Sequence, residues 1–285
     1  MIENIQAYIL TIKELYKRIE NLNNNFPEHY EDWIIKCFEP IKVYSIIGEG
    51  IYPIIERITV NKRVIEKNET IKEVDKLSYP PERCVKKYGR ANLKNQSVFY
   101  GSFNFMTSIM EMKPDNNDLI TISKWKLKNE NEFLITCPMF LNQPTDGTYN
   151  ERLIKLYNSF INELQRYPSS VADLIYEIHK FYANCFARKI ESDNNQGYIF
   201  TALLADKIFN QFKDGIVEAI LYPSTQENLR TKNIAIKKDL FDRKYEIFET
   251  IEKRFISKTD ASEKFCFEVL NKSKTIKNNL IHWSK

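Results

Sequence analysis

Four segments that lie far apart in the sequence carry side chains of the types that enzymes use on their substrates. Arg57 lies in IYPIIERITV, Arg90 in YGRAN, and Tyr100 and Glu111 in SVFYGSFNFMTSIMEM, and Ser224 ends the triplet YPS. In general, guanidinium groups bind anions and fixed carboxylates stabilise positive charge. Glu111 poses the sharpest question, because it interrupts an otherwise apolar helix start, MTSIMEM.

Each of these side chains also has an ordinary structural interpretation, which spacing alone does not exclude. Arg57 would then be a surface ion-pair partner, and Tyr100 a core aromatic residue whose hydroxyl reaches water. Glu111 would be a solvated helix residue, and Ser224 an ordinary turn residue.

Several familiar catalytic and cofactor motifs are absent from the sequence. It contains no GxGxxG, GxxxxGK[ST], HExxH or GxSxG pattern. The five cysteines form no CxxC pair, and with three scattered histidines they give no zinc spacing. We therefore predict no metal site and buried free thiols. His179, within YEIHKFY, is predicted to be a packed or surface histidine.

Charge and hydropathy disfavour two classes of partner. The net charge of +4 over 285 residues is small, and the basic residues are dispersed, which disfavours a nucleic-acid-binding protein. No apolar run is long enough for a membrane helix. The charged, periodic N-terminus does not resemble a signal peptide, and with an odd number of cysteines it indicates a cytoplasmic protein.

Apolar periodicity and turn residues predict the secondary structure that positions these segments. The N-terminus is predicted to be an amphipathic helix with one apolar stripe: Ile5, Ile9, Ile12, Leu15 and Ile19. A strand is expected to end near Arg57, a second strand to span Ser97–Ser102, and a helix to follow at about Met106–Met112. DLITISKWKL is predicted to be a strand, and LITCPMFLNQPTDGTYN a loop.

The second half of the chain is predicted to be a helical block followed by strands. Residues Glu151 to about Lys213 are predicted to be helical, and GIVEAILYPS and NIAIKK are predicted to be strands. YEIFETIEKRF fits a strand and a helix equally well. This order predicts an α+β domain with a helical insertion.

Taken together and in order, the segments resemble the RES-domain family, which is named for an arginine, a glutamate and a serine. The matching features are Arg57, GRAN at Gly89–Asn92, VFYGS at Val98–Ser102, Glu111, YPS at Tyr222–Ser224 and NIAI at Asn233–Ile236. The resemblance covers roughly residues 50–125 and 210–250. The N-terminal helix, the helical block and the long loop between Arg57 and GRAN exceed the compact core of that family.

This resemblance implies a mixed sheet core similar to that of ADP-ribosyltransferase toxins. The implied domains are an N-terminal helical extension (1–45), a catalytic domain (46–255) with a helical insertion at about 150–213, and a C-terminal extension (256–285). Many RES-domain proteins are toxins of toxin–antitoxin pairs. An antitoxin or regulatory protein is therefore an expected partner, and the extra helical segments are candidate surfaces for regulation or self-association.

The resemblance further implies an enzyme that consumes NAD as a substrate, without another cofactor or a metal, by cleaving the bond between nicotinamide and ribose. The implied catalytic residues are Glu111, Arg57 and Ser224, and the implied substrate-binding residues are Arg90, Tyr100, Asn92 and Ser102. The acceptor stays open among water, phosphate and a macromolecule, the last of which would make the protein an ADP-ribosyltransferase. A non-catalytic interaction module with the same fold is the alternative from another functional class.

Overall fold

The computed structural model describes residues 2–21, 28–40, 43, 45–140, 151–190, 196–227, 231–259 and 264–284. The helices of these residues are α1 (Ile2–Asn21), α2 (Glu28–Phe38), α3 (Lys62–Ile65), α4 (Phe105–Met112), α5 (Glu151–Leu164), α6 (Ser169–Ala187), α7 (Ile199–Asn210) and α8 (Lys238–Lys244). The strands are β1 (Gly48–Gly50), β2 (Ile54–Val60), β3 (Val98–Ser102), β4 (Leu119–Leu127), β5 (Leu134–Pro138), β6 (Ala219–Pro223), β7 (Lys232–Lys237), β8 (Tyr245–Thr259), β9 (Lys264–Lys277) and β10 (Leu280–Trp283).

The chain is an α+β protein, as predicted, and its strand pairing is mixed and mostly antiparallel. It divides into two compact units, each assembled from three segments. The first unit comprises Met1–Glu49, Glu82–Ser97 and Ile135–Thr231. The second comprises Gly50–Pro81, Val98–Leu134 and Lys232–Lys285. The predicted boundary between the catalytic domain and the C-terminal extension, between residues 255 and 256, falls inside β8.

The first unit is mainly helical and contains the parallel strand pair β5–β6. α6 packs against β6, and α1 and α7 pack against α6. Its core is rich in large aromatic side chains with almost no exposed surface: Phe38, Tyr182, Phe186, Phe200 and Phe209. Burial of such rings is a major source of stability in a helical core.

The second unit is an antiparallel sheet in the order β7-β3-β2-β4-β8-β9-β10. α4 covers one face, where Ile109 packs with strand residues such as Ile58 and Ile122. α8 covers the other face, where the Phe241 ring stacks on Phe99 at 3.8 Å between centroids and contacts Trp125. At β2, β3 and β4 the sheet therefore has two buried faces, and alternate residues of these strands face different helices.

The structure confirms several predicted elements and corrects two. The structure contains the predicted helix at MTSIMEM, the predicted strand at SVFYGS and the predicted helices after Glu151. YEIFETIEKRF, which periodicity left undecided, belongs to β8. Of the predicted N-terminal stripe, Ile12 and Leu15 are buried, whereas the side chains of Ile5 and Ile19 lie outside the described residues.

The first correction concerns β2, which does not end near Arg57. It continues to Val60, because Ile58 and Val60 bury their side chains and the pairing with β4 continues to Val60–Ile120. Arg57 is therefore in the middle of a strand.

The second correction concerns LITCP, which is the strand β5 rather than a loop. Its short apolar run is buried and pairs in parallel with β6, and parallel strands need no polar alternation. The rest of that predicted loop, residues 141–150, lies outside the described residues.

Among the described residues, none of the helices combines the length and apolar character needed to span a bilayer.

Candidate functional site

α4, which carries Glu111, is fixed to the end of β3 by a polar cap. Asn104 occupies the N-cap position, and its Oδ1 accepts hydrogen bonds from the Thr107 backbone N–H at 2.8 Å and the Thr107 hydroxyl at 3.0 Å. The buried Ser102 hydroxyl contacts the Ser108 hydroxyl and donates to the Asn104 carbonyl at 2.9 Å. An asparagine N-cap satisfies N–H groups that the first helical turn leaves unpaired. The start of α4 is thereby anchored to the sheet.

Glu111 lies in the last turn of α4, and a buried amide fixes its direction. The side chain is exposed, yet its Oε1 accepts a hydrogen bond of 2.8 Å from Asn233 Nδ2. Asn233 is 4% exposed and pairs with Ser102 across the β7–β3 ladder. A hydrogen bond to a carboxylate is stronger than one between neutral groups. The carboxylate is therefore reachable from solvent and held by the sheet.

Tyr100 lies on the same face of the second unit as α4. The side chains of Tyr100 and Ser102 alternate with those of Phe99 and Gly101 along β3, and Ser102 contacts α4 directly. The structure thus brings Tyr100, Ser102, Glu111 and Asn233 to one face of one sheet. The bonds made by Ser102 serve the connection between β3 and α4.

Arg57 lies where β2 and β3 separate. These two strands share a single register pair, Glu56–Ser102. Next to it, Arg57 Nη1 donates to the Tyr100 carbonyl at 2.9 Å, and the guanidinium lies 5.8 Å from the centroid of the Phe99 ring. Gly101 permits the β3 backbone to lie close to the Ile55 side chain of β2, since a Cβ at Gly101 would lie 2.3 Å from Ile55 Cγ2.

Alternation along β2 and β3 separates Arg57 from Glu111. Arg57 and Phe99 lie on the face covered by α8, whereas Glu111 lies on the face covered by α4. The structure therefore brings Arg57 into contact with the backbone of Tyr100, and the Arg57 and Glu111 side chains depart from opposite faces of the sheet.

A second carboxylate, Glu56, lies on the α4 face of β2. Burial raises the pKa of Glu56, while the nearby Lys124 lowers it and Glu249 adds to the rise. Lys124 Nζ is 4.0 Å from Glu56 Oε1 and 2.7 Å from Glu249 Oε2. This part of the face is thus partly desolvated and carries charges of both signs.

Arg90, in the first unit, caps the end of a helix. It is 9% exposed, and its guanidinium donates to the carbonyls of Phe186 and Arg188 at the end of α6. The guanidinium also lies 5.1 Å from the Tyr198 ring centroid and 5.8 Å from that of Tyr222. Cations are favourable at a helix C-terminus because the last carbonyls have no helical partner. Through these contacts Arg90 stabilises the C-terminal end of α6.

Asn92 and Ser224 are also found in the first unit. Asn92 Nδ2 donates to the Leu93 carbonyl at 2.9 Å, and Gly89 and Asn92 form a bridge that closes the GRAN turn. Ser224 directly follows the fully buried β6 and has no exposed surface. Its backbone N–H donates to the Thr231 carbonyl at 2.8 Å.

Asn233 belongs to this site, although its sequence context predicted no role for it. It is the first residue of the segment NIAI. The only signal in the sequence is its position, since a polar amide opens an otherwise apolar strand segment. Its partner Glu111 lies on another element, and local periodicity cannot reveal such a pair.

In the described part of the chain, no group of three His, Cys, Asp or Glu side chains is arranged to hold a metal ion. Comparisons with protein-family models and with curated proteins found no match to this chain.

Proposed function

We propose that the protein is an enzyme that degrades NAD by cleaving the N-glycosidic bond between nicotinamide and ribose. The observation that best supports this proposal is the 2.8 Å hydrogen bond from the buried Asn233 amide to the exposed carboxylate of Glu111. A carboxylate that is both accessible and fixed in direction suits a reaction that develops positive charge on a bound sugar.

The chemistry follows from the charge on the ribose. Breaking the bond to nicotinamide builds oxocarbenium-like charge at the anomeric carbon. A carboxylate that is already oriented stabilises this charge without reorganising during the reaction. In the proposal Glu111 supplies this stabilisation and accepts a hydrogen bond from a ribose hydroxyl. Tyr100, on the same face, stacks on the nicotinamide or hydrogen-bonds beside it.

The remaining residues take supporting roles. In the proposal, Arg57 holds the Tyr100 backbone through its 2.9 Å hydrogen bond, because its side chain leaves the sheet on the face opposite Glu111. Arg90 is assigned as a brace, because its guanidinium donates to two backbone carbonyls. Ser224 keeps its proposed role of fixing the ribose or the nicotinamide amide, which is carried by the YPS resemblance alone.

The decisive experiment follows free nicotinamide from NAD with purified protein, with and without phosphate. The matched variants are Glu111→Gln, which keeps size but removes charge, and Glu246→Gln, the same change at a half-exposed β8 carboxylate paired with Lys126. We expect nicotinamide release that Glu111→Gln lowers by about 100-fold, as when one preorganised electrostatic group is lost. Glu246→Gln should leave the rate unchanged.

The product identifies the acceptor. ADP-ribose indicates water, ADP-ribose-1″-phosphate indicates phosphate, and label transferred from NAD to protein or RNA indicates a transferase. No nicotinamide release from the folded protein under any of these conditions would leave the non-catalytic module as the better description.

A cellular consequence of the proposed reaction is toxicity of the toxin–antitoxin kind. Expression of the protein in bacteria without a protective partner should lower cellular NAD and stop growth, and Glu111→Gln should relieve both effects. Normal growth and NAD content during strong expression of folded protein would contradict an unregulated toxin.

A further inference from the structure

A second cluster of reactive side chains lies in the first unit. Ser45 Oγ and His179 Nδ1 are 2.8 Å apart, a distance at which a base takes a proton from a nucleophile. Cys137 Sγ donates to the same hydroxyl at 3.2 Å. Ser45 is 134 residues from His179 in sequence, so no local motif predicted the pair.

Burial sets the protonation state of His179 and Cys137. His179 has no exposed surface, and burial lowers its pKa to about 4 while the Phe140 backbone opposes the shift. The imidazole is therefore neutral at pH 7 and has a nitrogen free of a proton. Burial raises the pKa of Cys137 to about 12, so Cys137 remains a thiol and a donor. Ser45 is the only member of the trio that is partly exposed.

The exposed side of Ser45 lines a cavity of about 420 Å³. Its walls are largely apolar and include Ile46, Ile47, Phe160, Leu164, Ile175 and Phe212. Glu163 and the 46% exposed Tyr167 also line it. A volume of several hundred cubic ångströms is typical of small-molecule sites. The Glu163 carboxylate is paired with Arg166 at 2.8 Å, so the apolar walls favour neutral occupants.

We propose that Ser45 and His179 form a nucleophile–base pair for acyl transfer, acting on neutral esters that fit this cavity. Ser45 Oγ attacks the ester carbonyl carbon as its proton passes to His179 Nδ1. The bond from the carbonyl carbon to the alcohol oxygen breaks, and the alcohol leaves with that proton. Water then attacks the acyl-serine, its proton passes to His179, and Ser45 regains a proton as the acid departs.

This role requires one tautomer of His179. For Nδ1 to accept the serine proton, the ring proton must lie on Nε2. Nε2 is buried and meets no hydrogen-bond partner within the described residues. Orienting hydrogen bonds in catalytic sites are often loose before substrate binds.

The test uses the full-length protein, a fluorophosphonate probe and the ester p-nitrophenyl butyrate. We expect one phosphonyl adduct per chain, mapped to Ser45 by peptide mass spectrometry, and ester hydrolysis that the probe abolishes. Ser45→Ala should remove both. Ser169→Ala is the matched control, because Ser169 is exposed and lies outside the cavity lining, and it should stay within about twofold of the wild-type rate.

His179→Gln should slow labelling at least tenfold while the protein stays folded by circular dichroism. Should that variant not fold, Ser45→Ala alone decides the matter, since it removes a single oxygen atom. An absence of any adduct on Ser45, or hydrolysis unchanged in Ser45→Ala, would overturn the proposal. Glu111→Gln should label like wild type, which separates this result from the NAD proposal.

Discussion

Removing the side-chain donor of Asn233 tests whether the sheet orients Glu111 for catalysis. Asn233→Ala deletes the amide that donates to Glu111 Oε1 at 2.8 Å but leaves the carboxylate itself in place. Asn233 is 4% exposed, so the deletion makes a small void within the second unit and exposes no charge. The variant therefore changes the direction and freedom of the carboxylate rather than its presence.

The magnitude follows from the type of hydrogen bond and its exposure. Hydrogen bonds to charged groups contribute about 1.5–3 kcal/mol. The lower end applies here because Glu111 itself is exposed to solvent. A loss of about 1.4 kcal/mol corresponds to roughly a tenfold lower kcat. KM for NAD should change little, because the ground-state ribose carries little of the charge that Glu111 stabilises.

The assay is nicotinamide release at saturating and limiting NAD for the two single variants and the double variant Asn233→Ala/Glu111→Gln. If Asn233 acts through Glu111, the double variant should be no slower than Glu111→Gln alone, since residues that act as a unit are not additive. A further tenfold loss in the double variant would refute the reasoning, as would a wild-type kcat in Asn233→Ala.

Three further predictions concern other charged groups. Arg57→Ala should raise KM for NAD about tenfold with a smaller fall in kcat, because it removes the donor to the Tyr100 backbone, and in the proposal Tyr100 contacts the substrate before and during bond cleavage. The half-exposed Arg254→Ala should change neither in the same nicotinamide assay. Burial lowers the pKa of His179 from 6.5 to about 4, so the stability that the neutral imidazole contributes should be complete above pH 6.5 and disappear as the pH falls to about 4. Urea unfolding should show that the free energy of unfolding falls by about 3 kcal/mol over this pH range. The His179→Gln variant should lack this loss. Arg90→Ala should lower the free energy of unfolding by about 2–4 kcal/mol, because it leaves buried carbonyls at the end of α6 without donors, whereas the exposed Arg83→Ala should stay within about 0.5 kcal/mol by urea titration.

Local patterns predicted the elements that carry strong local signals. α4 was predictable because Asn104 and an apolar run mark a helix start, and β3 because its β-branched and aromatic residues favour a strand. β5 was missed because LITCP is short and precedes a segment rich in proline and asparagine. Burial beside β6 makes it a strand, and that partner follows about eighty residues later in the chain.

The candidate site was predictable only in part, because its contacts are long-range. The sequence pointed to Glu111, but its orientation depends on Asn233, which is 122 residues away. Arg90 was expected to bind substrate, and its contacts with the carbonyls at the end of α6 follow only from the tertiary structure. Hydrogen-bond partners of this kind follow from tertiary structure and leave no periodic trace.

The position of Glu111 places a condition on any catalysis it performs. An exposed carboxylate is surrounded by water, and at high dielectric its attraction for a nearby positive charge is only about 1 kcal/mol at 4 Å. The same attraction is several times larger once water is excluded. Because the protein leaves Glu111 exposed, the substrate itself has to cover it. A dinucleotide, with two large rings and a pyrophosphate, can displace more water than a free riboside, and Asn233 keeps the carboxylate directed while this happens. In the proposed reaction, the carboxylate in the last turn of this apolar helix is oriented by the protein and desolvated by its ligand.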